Sequence, residues 1–173
     1  MSFSRTHVIV GQGEFRNCHP AKEQSKNRRQ VSVRFLRELE SMMLQFVLNL
    51  HFYNMILVLA TSTISAIWGF ILFFVTKAIT RSWRISLIIT TIVGVLQALL
   101  GITLVLMGQK PGGGNLYYLH YVYGGIVALG FVVAITFTTS GKNPRRDVLV
   151  YSLAALAIAA AGVRAMMTGL GLP

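Results

Sequence analysis

Cysteine is nearly absent: Cys18 is the only one in 173 residues. No disulfide can form within the chain. A covalent c-type haem needs Cys-x-x-Cys-His and an iron–sulfur cluster needs several thiolates, so this chain alone builds neither. Acid is scarce too, with five Asp and Glu against sixteen Lys and Arg and a formal net charge of +11. The sequence holds no paired carboxylates, no nucleophile–base set and no metal-spaced cluster of His, Asp and Glu, so no catalytic activity of its own is expected. Nucleic acid is not the expected partner of the positive charge. The basic residues lie in the N-terminal stretch and beside apolar runs, not on a folded surface with interleaved aromatics, and anionic lipid suits that placement. Residues 1–30 also lack the apolar h-region that a cleavable signal needs.

What the chain has is apolar length. Hydrophobic residues make up 54% of it and charged ones 12%, and the apolar residues gather in four runs, 52–76, 85–108, 116–139 and 148–168. The first three contain no Asp, Glu, Lys or Arg, and the fourth carries only Arg164. Each can supply the ~20 residues with which a helix crosses a ~30 Å hydrocarbon layer. Unpaired backbone groups in lipid cost several kcal/mol, and no period-two pattern of a barrel is present, so the runs read as helices. The expected fold is an all-α membrane protein: four transmembrane helices in an up-and-down bundle over 51–170, preceded by a polar basic tail (1–30) and an amphipathic interfacial helix (31–50).

The amphipathic reading rests on Val31, Phe35, Leu36, Leu39, Met42, Met43, Phe46, Val47 and Leu50, which recur at three- and four-residue steps between Arg34, Arg37, Glu38 and Glu40. The uncharged stretch 41–76 would rise roughly 54 Å as one straight helix, too far for a single crossing, so a bend near 49–54 is expected. Within the spans, Gly94, Gly101 and Gly108 recur every seven residues, and Ala157 and Ala161 belong to an alanine-rich fourth helix. With Gly124 these small residues are candidates for close helix packing. Tyr117, Tyr118, Tyr121 and Tyr123 open the third span where an interfacial aromatic belt belongs.

An up-and-down bundle gathers His51, Gln109, His120 and Arg164 at one end. Two neutral imidazoles on different helices can ligate one haem b iron, with Arg164 pairing the propionates; no other metal site is expected. Gly101, Gly124 and Gly125 would admit a flat ring near the backbone. Each residue has a plainer reading as well. His51 and His120 can be interfacial hydrogen-bonding residues, Arg164 can snorkel to the headgroups, and Gln97, a candidate quinone contact, can be an interhelical hydrogen-bonding residue.

The segment LHYVYGG at 119–125, the basic connector after it and GVRAMMTG at 162–169 resemble a group of small uncharacterised four-helix bacterial membrane proteins over about 50–170. More distantly, the arrangement is similar to four-helix b-type cytochromes and haem-bearing membrane anchors of respiratory enzymes. Only His51 and His120 match the ligand role here, so a two-haem relay is not expected. The resemblance implies a bacterial energy-transducing membrane. The function expected first is an accessory subunit of a respiratory or photosynthetic electron-transfer complex, packed against larger subunits. The alternative is a single-haem b-type cytochrome exchanging electrons with quinol. A transporter or channel is weaker, because Gln97 and Asn54 are the only amides within the spans and no acid lies at mid-depth.

Short loops set the orientation. Lys77, Arg81 and Arg84 flank the first connector and Lys142, Arg145 and Arg146 the third, against Lys110 alone in the second. The first and third connectors are therefore expected in the cytoplasm, although eight basic and four acidic residues before the first span vote the other way. In a Cys18→Ser background, a membrane-impermeant maleimide should label Lys110→Cys on intact cells and Lys142→Cys only after lysis. The reverse pattern would invert the topology.

Overall fold

The computed structural model describes residues 20–76, 78–112 and 117–172. Most of the polar tail, including the Cys18-His19 pair, lies outside the described residues, as do Lys77 and positions 113–116 of the second connector. Four helices follow one another: α1 Pro20–Val75, α2 Arg81–Leu106, α3 Tyr117–Phe137 and α4 Pro144–Gly169, with no strand among the described residues. All four are long and apolar enough to cross a membrane. The fold is all-α and that of an integral membrane protein.

Residues up to Ser41 and residues from Met42 onward are two compact units. In the first, Val31, Phe35, Leu36 and Leu39 are exposed, and Ser32 and Ser41 donate back to the carbonyls of Arg28 and Glu38. In the second, α1 keeps a helical backbone through 49–54, the region where a bend was expected. From Met42 to Val75 it rises about 50 Å against a ~30 Å hydrocarbon layer.

The order of the bundle follows from where its glycines and small polar groups touch. On α1, Ser65 meets Ser86 (2.6 Å) and Thr90 (3.1 Å) of α2, while Asn54 meets Gln97 further along it. Residue numbers rise on one helix as they fall on the other, so α1 and α2 are antiparallel. A Cβ at Gly94 of α2 would lie 3.2 Å from the Val127 carbonyl of α3, and one at Gly130 of α3 would lie 2.7 Å from Ile158 of α4. Gly69 of α1 abuts Ser152 of α4, and Gly162 of α4 abuts Leu59 and Met55 of α1, which closes the ring with α1 and α4 antiparallel. This is an up-and-down bundle in which each helix touches its two sequence neighbours, the last returning to the first.

Capping residues fix where the helices begin. The Thr80 side chain accepts from the Trp83 N–H (3.3 Å), and Asn143 accepts from the Arg146 N–H (3.2 Å) just ahead of Pro144. Asp147, the one acid after residue 40, sits buried in the first turn of α4. Its Oδ1 accepts from the Thr139 N–H and hydroxyl, and its Oδ2 from the Gly141 N–H at 2.8 Å. That holds the third connector through Ser140 (φ 53°) and Gly141 (φ 87°), both in the left-handed region. Trp83 is fully buried and donates through Nε1 to the Ser65 carbonyl (2.9 Å), so its indole fills the junction of α1, α2 and α4 without an orphaned N–H.

A Cβ at Gly69 would press within 2.5 Å of the Trp83 ring as well as on Ser152. Gly69→Val should therefore destabilise the purified protein by about 1–3 kcal/mol in reversible unfolding. Gly124→Ala, whose Cβ meets nothing within 4 Å, should leave stability unchanged or slightly raised. Equal effects of the two would show that α1 and α4 do not meet at Gly69.

Candidate histidine-pair site at one end of the bundle

His51 and Asn54 lie one turn apart on α1, facing Gln97 and Gly101, one turn apart on α2. Asn54 and Gln97 are both buried. Asn54 Nδ2 donates to the Val93 carbonyl at 3.0 Å and to Gln97 Oε1 at 2.9 Å. Gln97 Nε2 lies 3.2 Å from His51 Nε2. Gly101 leaves room for the imidazole, since a Cβ there would be 3.5 Å from His51 Cε1.

This network assigns its own hydrogens. A backbone carbonyl only accepts, so the nitrogen end of the Asn54 amide must face Val93. The same nitrogen then meets Gln97, whose oxygen must face it, and Gln97 is left to present its N–H to His51. The His51 Nε2 therefore receives that hydrogen and holds the lone pair. In the neutral ring the proton sits on Nδ1, a buried atom with no hydrogen-bond partner. A buried donor without an acceptor costs about 1–3 kcal/mol, which makes Nδ1 the unsatisfied atom of this network.

His120, near the start of α3, reaches the same place from the other side. Its ring centroid lies 6.3 Å from that of His51, with the planes tilted by 48°. Its Nδ1 is 2.8 Å from the Ala165 carbonyl of α4, which only accepts, so Nδ1 carries the proton and Nε2 the lone pair. Gly169 admits the ring, as a Cβ there would lie 3.1 Å from His120 Cε1. The second connector closes over α4 at the same end, where the Gly112 N–H donates to the Gly169 carbonyl (3.2 Å).

The other expected residues fall as follows. Arg164 stacks over Tyr123 at 5.9 Å, one turn along α3 from His120, and its Nη1 lies 4.0 Å from Met167 Sδ. Gln109 makes no side-chain hydrogen bond to either histidine and contributes a backbone N–H to Leu104 at the end of α2. Gly94 and the buried Ala161 lie at helix contacts. Gly124 faces open space, and Ala157 is exposed, so neither is pressed against another helix of this chain. Among the described residues no three His, Cys, Asp or Glu come together as a metal site, so the histidine pair stands alone.

A haem iron between the rings would need a lone pair from each. His120 fits that role: Nδ1 anchored on a carbonyl and Nε2 available is the arrangement of an oriented ligand. His51 does not fit in this arrangement, because its lone pair points at Gln97 and its other nitrogen carries a proton. Ligation through Nδ1 would require the Gln97 amide to reverse against Asn54, which Val93 holds in place. Separation alone does not discriminate. Were two ring nitrogens turned toward each other, roughly 4 Å would remain between them, a span that either two ~2 Å metal bonds or one oxygen with two bent hydrogen bonds can bridge. Comparison with known proteins finds no family model, no curated protein and no solved structure that matches this chain.

Gln97 was legible in the sequence as an interhelical hydrogen-bonding residue. Its partner Asn54 was not, though the one-turn spacings His51/Asn54 and Gln97/Gly101 carried the signal: two short faces that fit only each other. The Ala165 carbonyl left no trace, since a backbone acceptor has no side chain to read. A double-mutant cycle on Asn54→Ala and Gln97→Ala should give a coupling of about 0.6–1.7 kcal/mol in reversible unfolding, the range of interhelical bonds in membranes. Additive losses would mean that the two amides do not meet.

Proposed function

We propose that the chain is an integral-membrane accessory subunit of a respiratory or photosynthetic electron-transfer complex in a bacterial cytoplasmic membrane. It packs against larger subunits and lends them a headgroup site for a quinone or quinol between His51 and His120. The observation that carries this reading is the buried, partnerless N–H of His51 beside a ring whose Nε2 holds a lone pair. A quinol hydroxyl accepts from the first nitrogen and donates to the second at once, and a quinone carbonyl answers the His51 N–H. Such a ligand needs no change in Gln97 or Asn54. Docking on larger subunits is supported by how little of each span is covered: between 17% and 44% of the most apolar window is buried within the chain, which leaves most of each helix surface for lipid and other subunits.

The alternative is a single b haem on the same two histidines. The anchored tautomer of His120 favours it, and it requires Gln97 to release His51. Two measurements on the purified protein separate the readings. Decylubiquinol should bind saturably, and His51→Ala or His120→Ala should each weaken it about three- to tenfold, the worth of one hydrogen bond. Oxidised and dithionite-reduced spectra should lack a low-spin haem signature. A six-coordinate low-spin spectrum that disappears in His120→Ala would replace the quinol site with a haem. Binding indifferent to both histidine substitutions would remove the site altogether.

A further inference from the structure

Away from the histidine pair, α3 and α4 leave an open groove of about 720 Å³ between them. Its walls are apolar and include small residues, among them Gly125, Gly130, Ala154 and Ala157. Of the residues that line it, Arg146 alone is charged. Because α3 and α4 are antiparallel, Arg146 lies at the Phe137 end, beside the third connector.

The dimensions limit what fits. From Val122 to Phe137 the groove follows α3 for about 22 Å at ~1.5 Å per residue. A hydrocarbon chain from one ~15 Å leaflet is no longer than the groove and matches its apolar lining. The charge at the mouth then selects the headgroup. Asp147 lies next to Arg146 and its charge is felt there, but both its oxygens are engaged by Thr139 and Gly141, and no carboxylate pairs with the Arg146 guanidinium among the described residues. The neighbouring Arg145 is already seated over the Phe73 ring at 4.9 Å. Arg146 thus senses the Asp147 charge but makes no ion-pair contact with it, and it is the one cation lining an apolar slot. We propose that this groove is a binding site for an anionic phospholipid, whose phosphate pairs with Arg146 and whose acyl chain lies between α3 and α4. The placement agrees with a cytoplasmic third connector, because anionic lipid is concentrated in that leaflet.

The test is lipid retention, read by native mass spectrometry of the full chain released from nanodiscs of equal phosphatidylglycerol and phosphatidylcholine. Phosphatidylglycerol should be retained preferentially. Arg146→Ala should reduce that preference about fivefold, the effect of one basic residue at a membrane surface. Gly125→Leu, which fills the slot from a position where a Cβ meets nothing within 4 Å, should abolish retention of both lipids. Arg145→Ala should change neither. Equal losses in Arg145→Ala and Arg146→Ala would reduce the site to general basic attraction, and retention that survives Gly125→Leu would place the lipid elsewhere. An empty groove, or one occupied by a co-purifying protein, would also overturn the proposal.

Discussion

Hydrocarbon offers no hydrogen-bond partners, so every polar group carried into it must find one inside the protein. This chain meets that demand at two levels. Hydroxyls that need only an acceptor turn back on their own helix: Thr61, Ser62, Thr91, Thr103, Ser152 and Thr168 each donate to a carbonyl one turn earlier. Other polar groups bond across to a neighbouring helix. Ser65 with Ser86 and Thr90, Trp83 with the Ser65 carbonyl, Asn54 with Gln97, and His120 with the Ala165 carbonyl do so. These crossings hold α1 to α2 and α3 to α4 in register, while glycines bring the remaining faces together. The His51 N–H is the one buried side-chain donor among the described residues that this scheme leaves over.

The two ends of the bundle are therefore chemically different. At the second connector, two imidazoles in the same Nδ1-protonated form meet beneath a glycine-built closure. Toward the third, an apolar slot leads to a cation. The histidine pair and the α3–α4 groove mouth at Arg146 thus lie at opposite ends of the bundle, and exposed apolar faces run the length of α2 and α3 between them.

Much of the architecture is legible in the sequence. Apolar runs of membrane length demand helices, short connectors demand antiparallel neighbours, and those two rules alone bring His51 and His120 to one end. What the sequence could not convey was hydrogen placement. Whether His51 offers an iron a lone pair or a hydroxyl an N–H depends on the Val93 carbonyl, acting through two amides that are 43 residues apart in the chain. The glycines show the same limit: Gly94 and Gly124 read alike as small residues, yet one meets a backbone carbonyl and the other meets open space. The groove between α3 and α4 escaped the sequence for a related reason, because it is defined by which small residues of the two helices are left uncovered.

The hydrogen assignment at His51 is the claim from which the site reading follows, and it can be measured on the nuclei themselves. With His7 and His19 replaced by Asn and the remaining histidines labelled with nitrogen-15, solid-state NMR of the protein in bilayers near neutral pH reports the tautomer of each ring. The account predicts neutral, Nδ1-protonated signals for both His51 and His120, with the His51 pattern changing to Nε2-protonated or mixed in Gln97→Leu. An Nε2-protonated His51 in the unaltered protein, or ring shifts typical of metal ligation, would contradict it.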